Sequence, residues 1–328
     1  MRRERKLGRG LEDFSHFFLS SGAEKADPLS SKPNGGGETK GPATPARVIC
    51  ITSNRKVKER TFLTVNLALE IAGQGKKVLV VDADFSLPRL CMLMGNSTPG
   101  SILHLISNNG EKEISTEFIH GVSLITLDVD ISDLSSLGAS EQTSIMRFFS
   151  QAEEKADILL VTVSSTFIRH MIAILKASSD IVVITPQQVN ELVYAYGMLK
   201  TVFQVNSDAC VGIVSSRISV PDQAEAVFEK MQKTVKRFLD KPLCNYGYLP
   251  DDPEISQSIA SRKPLALSAP SSQAVKCIAE ISQSIFEKHK WVTEKLSIKE
   301  NCCSFSERFF DNRHNSAWFH NPGIADTL

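Results

Sequence analysis

The chain has 328 residues, of which 42% are hydrophobic and 23% are charged, so it has enough apolar surface for one large core or two modest ones. Its 37 basic residues balance 37 acidic ones, which argues against a protein that coats nucleic acid through its overall field. We find no apolar run of the roughly 18 to 20 residues that cross a bilayer, and no secretory signal pattern. These features predict a cytoplasmic protein.

Residues 1–20 combine a basic start with an apolar stripe. Leu11, Phe14 and Phe18 recur at i, i+3 and i+7, a spacing typical of one face of a helix. Residues 21–46 are rich in Ser, Gly and Pro, a composition that does not bury enough surface to order itself. We interpret residues 1–20 as a basic, amphipathic partner-docking arm on a disordered linker of residues 21–46.

Residues 47–290 alternate short apolar runs with longer amphipathic ones. The runs predict strands at residues 48–52, 78–81, 122–127, 158–163, 181–185, 211–215 and 243–248. The intervening patterns predict helices at residues 61–72, 140–155, 167–177, 190–205, 221–238, 253–260 and 271–288. Continuous apolar strands separated by helices indicate a mostly parallel sheet covered on both faces. The predicted fold class is therefore a doubly wound α/β domain.

The remaining residues, 291–328, are polar with isolated aromatic side chains, and they predict a loosely ordered tail. The alternative is an amphipathic segment that docks on a membrane or a partner. Five of the seven cysteines stand alone, several within apolar runs, where a reduced thiol behaves as a small hydrophobe. The pair Cys302 and Cys303, followed by His314 and His320, matches none of the usual zinc spacings.

The first predicted strand and the loop after it carry a specific resemblance. The run VICITS is followed by a nine-residue loop that opens a helix, and GKKVLVVDAD follows at residues 75–84. This segment resembles the start of the MinD/ParA family of deviant-Walker P-loop ATPases. The segment GYLPDDP at residues 247–253 is most similar to the flagellar-number regulators of that family. The resemblance covers about residues 47–290, and it implies a P-loop NTPase fold and a bacterial origin.

The family loop reads GKGGVGKTT, and its glycines let backbone N–H groups wrap phosphates. By the resemblance, the places of its four glycines hold Asn54, Lys56, Val57 and Glu59. The two family lysines fall on Arg55 and Arg60, the acid of the second Walker strand on Thr162, and the adenine-reading asparagine on Ser216. Together these changes predict a protein that has lost ATP hydrolysis. We therefore expect no cofactor, and the alternative is that the chain still binds ATP with Mg²⁺.

Some residues of the family's site are retained. The resemblance makes Thr61 and Asp82 candidate Mg²⁺ ligands, and Asp82 and Asp84 candidate catalytic residues if the chain is active. The remaining candidates for a vestigial nucleotide site are Arg55, Arg60, Thr61, Ser216, Pro250 and Asp251. The alternative for Asp82 and Asp84 is that they cap the next segment or pair with Arg55 and Arg60.

The sequence KLGRGLED at residues 6–13 carries a second resemblance. It is similar to the N-terminal motif by which ParB-type partners engage ParA-type ATPases through a basic activating residue. The resemblance implies that Leu7, Arg9, Leu11, Phe14 and Phe18 bind a ParA/MinD-type ATPase or a component of an envelope machine.

We therefore expect a non-hydrolysing scaffold or regulator in the spatial or numerical control of a bacterial flagellum or pilus. Three alternatives remain: an active or weakly active ATPase, a polar pilus-localisation factor, and a chromosome-partition factor. We also expect that the chain can form a homodimer and can contact the inner membrane or the cell pole peripherally.

Overall fold

A computed structural model gives the fold of most of the chain. The residues that it describes are 46–54, 58–84, 89–94, 100–101, 117–119, 121–127, 139–164, 168–296 and 304–310. The predicted arm and nearly all of the predicted linker lie outside these residues. The same is true of Arg55, Lys56 and Val57 in the first loop.

The described residues form one nine-stranded sheet with the strand order β3-β5-β2-β6-β1-β7-β8-β9. All pairings on this path are parallel, and β4 pairs with β5 antiparallel. The seven predicted strands are confirmed, and β3 and β4 are two short strands that the sequence did not predict. The strands are β1 Arg47–Ser53, β2 Val78–Asp82, β3 Gly100–Ser101, β4 Glu117–Ile119, β5 Val122–Thr126, β6 Ile158–Ser164, β7 Asp180–Pro186, β8 Cys210–Ile218 and β9 Cys244–Pro250.

Helices connect the strands and cover both faces of the sheet, which confirms the predicted α/β fold class. The seven predicted helices are present, and three short helices, α2, α8 and α10, were not predicted. The helices are α1 Glu59–Gly73, α2 Arg89–Leu93, α3 Ala139–Lys155, α4 Ile168–Ala177, α5 Val189–Val205, α6 Pro221–Leu239, α7 Pro253–Ser261, α8 Leu265–Ser268, α9 Gln273–Leu296 and α10 Phe305–Phe310.

The alternation of side chains along the central strand β1 divides the core into two layers. Ile49 and Ile51 face the layer that contains α1 and α9, whereas Val48 and Cys50 face the layer that contains α3 to α6. All four side chains are fully buried, because the sheet is covered on both sides. The five described cysteines are free and buried, in agreement with their prediction as core residues.

The carboxyl ends of the parallel strands meet at one edge of the sheet. The chain order crosses at β1, which lies between β6 and β7, and such a crossing is where doubly wound sheets bind ligands. The edge collects the start of α1, the end of β2 with residues 83–84 after it, the end of β6, and the ends of β8 and β9. We therefore expect the candidate site at this edge of the sheet.

The segment predicted as a loosely ordered tail differs from that expectation in two places. Helix α9 runs to Leu296, and α10 packs against α3 and α4. Phe305 and Phe309 are buried, with ring centroids 5.1 and 5.7 Å from that of Phe149. Their i, i+4 spacing puts both rings on one face of a helix, so the aromatic contact orders a short segment within a polar sequence.

None of the helices that the structure describes is both long and apolar enough to span a bilayer. Among the same residues, no group of three or more His, Cys, Asp or Glu side chains is placed to hold a metal ion. The Cys302–Cys303 pair and both nearby histidines fall outside the described part of the chain.

A buried carboxylate anchors the opposite, amino edge of the sheet. Asp180 is fully buried and accepts hydrogen bonds from Arg47 Nε at 2.7 Å and Arg47 Nη2 at 2.8 Å. His289 Nδ1 lies 2.9 Å from the same carboxylate, and Arg47 also donates to the Ile285 carbonyl oxygen. Although burial opposes the charge, Arg47 and His289 hold the pKa of Asp180 below its usual range. The cluster joins β1, β7 and α9.

We predict that Asp180→Asn lowers the free energy of unfolding by about 3 kcal/mol, because it leaves Arg47 with an uncompensated charge. Urea unfolding measures this loss. The loss should shrink below pH about 4, since a carboxylate with a lowered pKa stabilises the fold only while it is ionised. Asp240→Asn, which breaks a fully exposed pair with Lys236, is the control and should leave the free energy of unfolding close to that of the wild type. Equal losses in both variants would contradict a structural role for the Asp180 cluster.

Candidate functional site

The first turn of α1 stands at the carboxyl edge of the sheet, where the loop after β1 ends. The helix begins at Glu59, and its N-cap Lys58 makes no side-chain capping hydrogen bond. Free N–H groups and the helix dipole make such a terminus attractive to anions. The neighbouring side chains determine whether a ligand can bind at the start of α1 or whether other groups of the protein contact it.

Arg60 turns into the protein. Its side chain is 4% exposed, it forms an ion pair with Asp84, and its Nη1 donates to the Val163 carbonyl oxygen at 3.2 Å. Ser164 Oγ donates to the other oxygen of Asp84 at 3.4 Å. The structure therefore shows the alternative in which Asp84 pairs with Arg60. A buried guanidinium engaged in this way has to lose charged hydrogen bonds before it can reach a ligand.

Asp82 is the last residue of β2 and is buried. Its Oδ1 accepts from the Asp84 backbone N–H at 3.0 Å, and its carboxylate also accepts from the backbone of Leu90 at the start of α2. Burial raises the pKa of Asp82 to about 7. The alternative in which Asp82 caps the next segment is therefore also what the structure shows.

Two threonines flank Asp82 on the neighbouring strands. Thr126 of β5 and Thr162 of β6 lie in register with Asp82. Within the described part of the chain, both hydroxyls are buried and have no hydrogen-bond partner. Thr162 is the residue that falls on the family's Walker B acid, so at this position the protein has an uncharged hydroxyl next to Asp82.

Glu59 and Arg217 form a second ion pair across the edge. Arg217 Nε donates to Glu59 Oε1 at 2.7 Å and Arg217 Nη2 donates to Glu59 Oε2 at 3.3 Å. Arg217 follows Ser216 near the end of β8, and its backbone is left-handed with φ 58°. The hydrogen bonds to Glu59 raise the pKa of Arg217. The pair links the start of α1 to the end of β8.

A third contact holds the beginning of the first loop. Asn54 Nδ2 donates to Glu191 Oε2 at 2.9 Å, and Glu191 lies in the first turn of α5. By the resemblance, Asn54 and Glu59 stand at glycine positions and Arg60 stands at a lysine position. Each of the three side chains contacts a different element of the same chain: α5, β8 and the end of β2.

The other predicted site residues lie around the same edge. Thr61 is buried in α1, directly after Arg60. Ser216 is fully buried, and its hydroxyl has no hydrogen-bond partner among the described residues. Pro250 ends β9, and the Asp251 backbone N–H donates to the Ile218 carbonyl oxygen at 2.9 Å. Arg55 and the arm residues Leu7, Arg9, Leu11, Phe14 and Phe18 fall outside the described residues.

Arg217 and Glu191 contact the site residues Glu59 and Asn54 but were not predicted from the sequence. A usable signal for Arg217 was its place two residues after a predicted strand end, because the ends of parallel strands meet at one edge and Glu59 offers the opposite charge there. Glu191 carried no comparable signal, since it lies in the first turn of a helix, where acidic residues are common.

A family model described as ParA, an iron-transfer P-loop NTPase of the NUBPL type, matches residues 46–286. The chain belongs to the ParA family. Among characterised relatives, it is 20% identical over 242 residues to the antiactivator FleN of Pseudomonas aeruginosa, covering 74% of this chain and 86% of that protein. It is 25% identical over 265 residues to the flagellum site-determining protein YlxH of Helicobacter pylori, covering 80% and 89%. Both relatives support the resemblance to flagellar-number regulators.

The fold agrees with solved structures of the ParA/MinD family. The cell-division ATPase MinD of Pyrococcus furiosus superposes with a TM-score of 0.56 at 20% identity, over 74% of this chain and 99% of that one. A ParA-family ATPase of Chlorobium tepidum gives a TM-score of 0.57 at 15% identity, over 73% and 98%. At these identities the likeness establishes the fold alone.

We predict that Asp82→Asn makes the protein more stable at pH 8, by up to about 4 kcal/mol. The raised pKa means that the folded state holds a proton on Asp82 that the unfolded chain releases, so wild-type stability is lost as pH rises from about 4 through 7. Asparagine keeps an acceptor for the Asp84 N–H and does not titrate. Urea unfolding from pH 5 to 8 tests this, with Asp222→Asn on the exposed start of α6 as control. A difference between Asp82→Asn and wild type that does not grow with pH would refute it.

Proposed function

We propose that the chain is a non-hydrolysing regulator in the numerical or spatial control of flagella. The process is suggested by the relatives FleN and YlxH, whose names describe an antiactivator and a flagellum site-determining protein. The match extends over more than four-fifths of each relative, so it covers nearly a whole regulator rather than a shared fragment. The side chains at the carboxyl edge support the absence of hydrolysis.

The observation that carries this proposal is the direction of Arg60. Stabilising the phosphates of ATP during transfer requires a cation that reaches the β- and γ-phosphates. The Arg60 guanidinium instead contacts the Asp84 carboxylate and the Val163 carbonyl oxygen inside the protein. Separating this pair would leave a buried carboxylate without its charged partner, which is a large cost.

Glu59 works against a phosphate ligand in the same place. Its carboxylate is 13% exposed and stands in the first turn of α1, where the family has a glycine whose backbone can approach phosphate. A carboxylate held at this place would repel the negative charge of a phosphate that approached it. The side chains at this edge therefore do not fit ATP bound in the manner of the family.

The residues that would hold Mg²⁺ are incomplete. Thr61 and Asp82 keep the oxygen atoms that the resemblance assigns to the metal, but Thr162 offers a hydroxyl where a carboxylate is needed to balance a divalent charge. The weakly active ATPase remains the second candidate function, because Asp82, Asp84 and Thr61 still lie at one edge of the sheet.

We further propose that residues 1–20 dock on a ParA/MinD-type ATPase, with Arg9 as the basic residue near its nucleotide. A positive group placed there stabilises charge that develops on the phosphates. A peptide of this length is too short to be stably helical in water and would order against a groove of its partner. In this arrangement the partner hydrolyses ATP and this chain controls it.

Flagellar number in a strain that lacks the chain tests the proposed function. We predict that the deletion changes the number or position of flagella, and that wild type and Thr61→Ala restore it equally, because no bound Mg²⁺ is needed. Thr64→Ala, the same change one turn further along α1, controls for expression and folding. If Thr61→Ala is present at the wild-type level but fails where Thr64→Ala succeeds, the chain uses a nucleotide. A deletion that misplaces pili and leaves flagella unchanged would favour the pilus alternative.

A synthetic peptide of residues 1–20 tests the docking arm. We expect it to raise the ATPase rate of the purified ParA/MinD-type ATPase of the same organism. Activating arginines raise kcat by about 10³- to 10⁵-fold, which sets the upper limit of the increase. The Arg9→Ala peptide should bind with similar affinity and activate far less, since Leu11, Phe14 and Phe18 still provide the apolar stripe. Equal activation by both peptides, or no binding by either, would contradict this role for the arm.

A further inference from the structure

The ion pair between Glu59 and Arg217 joins residues that are 158 positions apart in the chain. Both nitrogen atoms of the contact come from one side of the guanidinium and reach the two oxygens of one carboxylate. This fork geometry fixes direction as well as distance. The side chain of Glu59 is 13% exposed and that of Arg217 is 41% exposed, so solvent screens the pair only in part.

The backbone of Arg217 has an unusual conformation at the point where its side chain contacts Glu59. Its φ of 58° lies in the left-handed region, which non-glycine residues adopt only with strain. The pairing of β8 with β9 becomes irregular between Ser215 and Ile218, so the strand turns at this residue. At this turn the side chain contacts Glu59 in the first turn of α1.

The two ends of the pair lie on two sides of the candidate site. By the family resemblance, the start of α1 is the phosphate side, and the end of β8, where Ser216 falls on the adenine-reading position, is the base side. In a nucleotide-binding protein of this fold, the ligand itself spans these two sides. Here a carboxylate and a guanidinium of the same chain span them directly.

We propose that the Glu59–Arg217 pair is a built-in tie that takes the place of a bound nucleotide. The tie holds the end of β8 against α1 in every molecule, so the surface around this edge has one constant arrangement. Neighbouring carboxylates support it, because Glu191 and Asp251 also act electrostatically to raise the pKa of Arg217. This inference rests on the proposed function, since a protein that cycles through ATP could not keep the position permanently filled.

Hydrogen–deuterium exchange of the full-length protein tests whether the two sides are coupled. We expect Glu59→Gln to speed exchange at residues 214–220 by roughly two- to fivefold, the range for losing a partly exposed ion pair. Arg217→Gln should have the reciprocal effect on residues 58–66. Arg217→Lys keeps the charge but loses the fork, so its effect should lie between wild type and Arg217→Gln.

The control is Glu229→Gln, which removes the same charge from an exposed pair with Lys233 on α6 and should leave both segments unchanged. Added Mg²⁺-ATP should not slow exchange in the wild type. The tie is overturned if Glu59→Gln leaves residues 214–220 at the wild-type rate, or if Mg²⁺-ATP protects both segments in the wild type.

ATP turnover measured on the same samples separates the two claims. Turnover refutes the non-hydrolysing function and, with it, the replacement of the nucleotide by the tie, even if reciprocal loss of protection shows that Glu59 and Arg217 are coupled. Absence of turnover together with unchanged exchange in both variants refutes the tie and leaves the proposed function standing.

Discussion

Three elements meet at the guanidinium of Arg60, which belongs to α1 and contacts the Asp84 carboxylate beyond β2 and the Val163 carbonyl oxygen in β6. A charge at this depth is tolerated only when it is paired and hydrogen bonded. Arg60 and Asp84 therefore depend on each other, and the position of the α1 terminus depends on both. Once this pair is formed, the cation that the family aims at phosphate is used inside the protein.

The neighbouring contacts extend the same principle. Asn54 contacts Glu191 on α5, and Glu59 contacts Arg217 on β8, so side chains fix the residue after β1 and the start of α1 to other parts of the domain. At the amino edge, Asp180 of β7 likewise links three elements, because it contacts Arg47 on β1 and His289 on α9. The two clusters lie at opposite edges of the sheet: the Asp180 cluster is at the amino edge, whereas the contacts around α1 are at the carboxyl edge, where doubly wound sheets bind ligands.

Hydrophobic periodicity was enough to predict the seven long strands and the seven long helices, because each buries a repeated apolar pattern between the layers. It did not predict β3 and β4, since two or three residues carry no period. Helix α10 was also missed, because the stabilising ring of Phe149 is distant in sequence. In the site, the pairing of Asp84 with Arg60 stood among the alternatives. The ion pair between Glu59 and Arg217 was not predicted. The place of Arg217 near a strand end was a usable signal for it, but the left-handed turn at Arg217 is seen only in the structure.

The central claim is that internal ion pairs have replaced the nucleotide at the carboxyl edge of the sheet. Calorimetric titration of Mg²⁺-ATP into the purified full-length protein, with phosphate release measured in parallel, addresses it most directly. We predict no saturable binding up to about 1 mM, the upper end of ordinary substrate affinities, and no phosphate release above the buffer blank. Saturable, Mg²⁺-dependent binding with turnover that Thr61→Ala abolishes would contradict the claim.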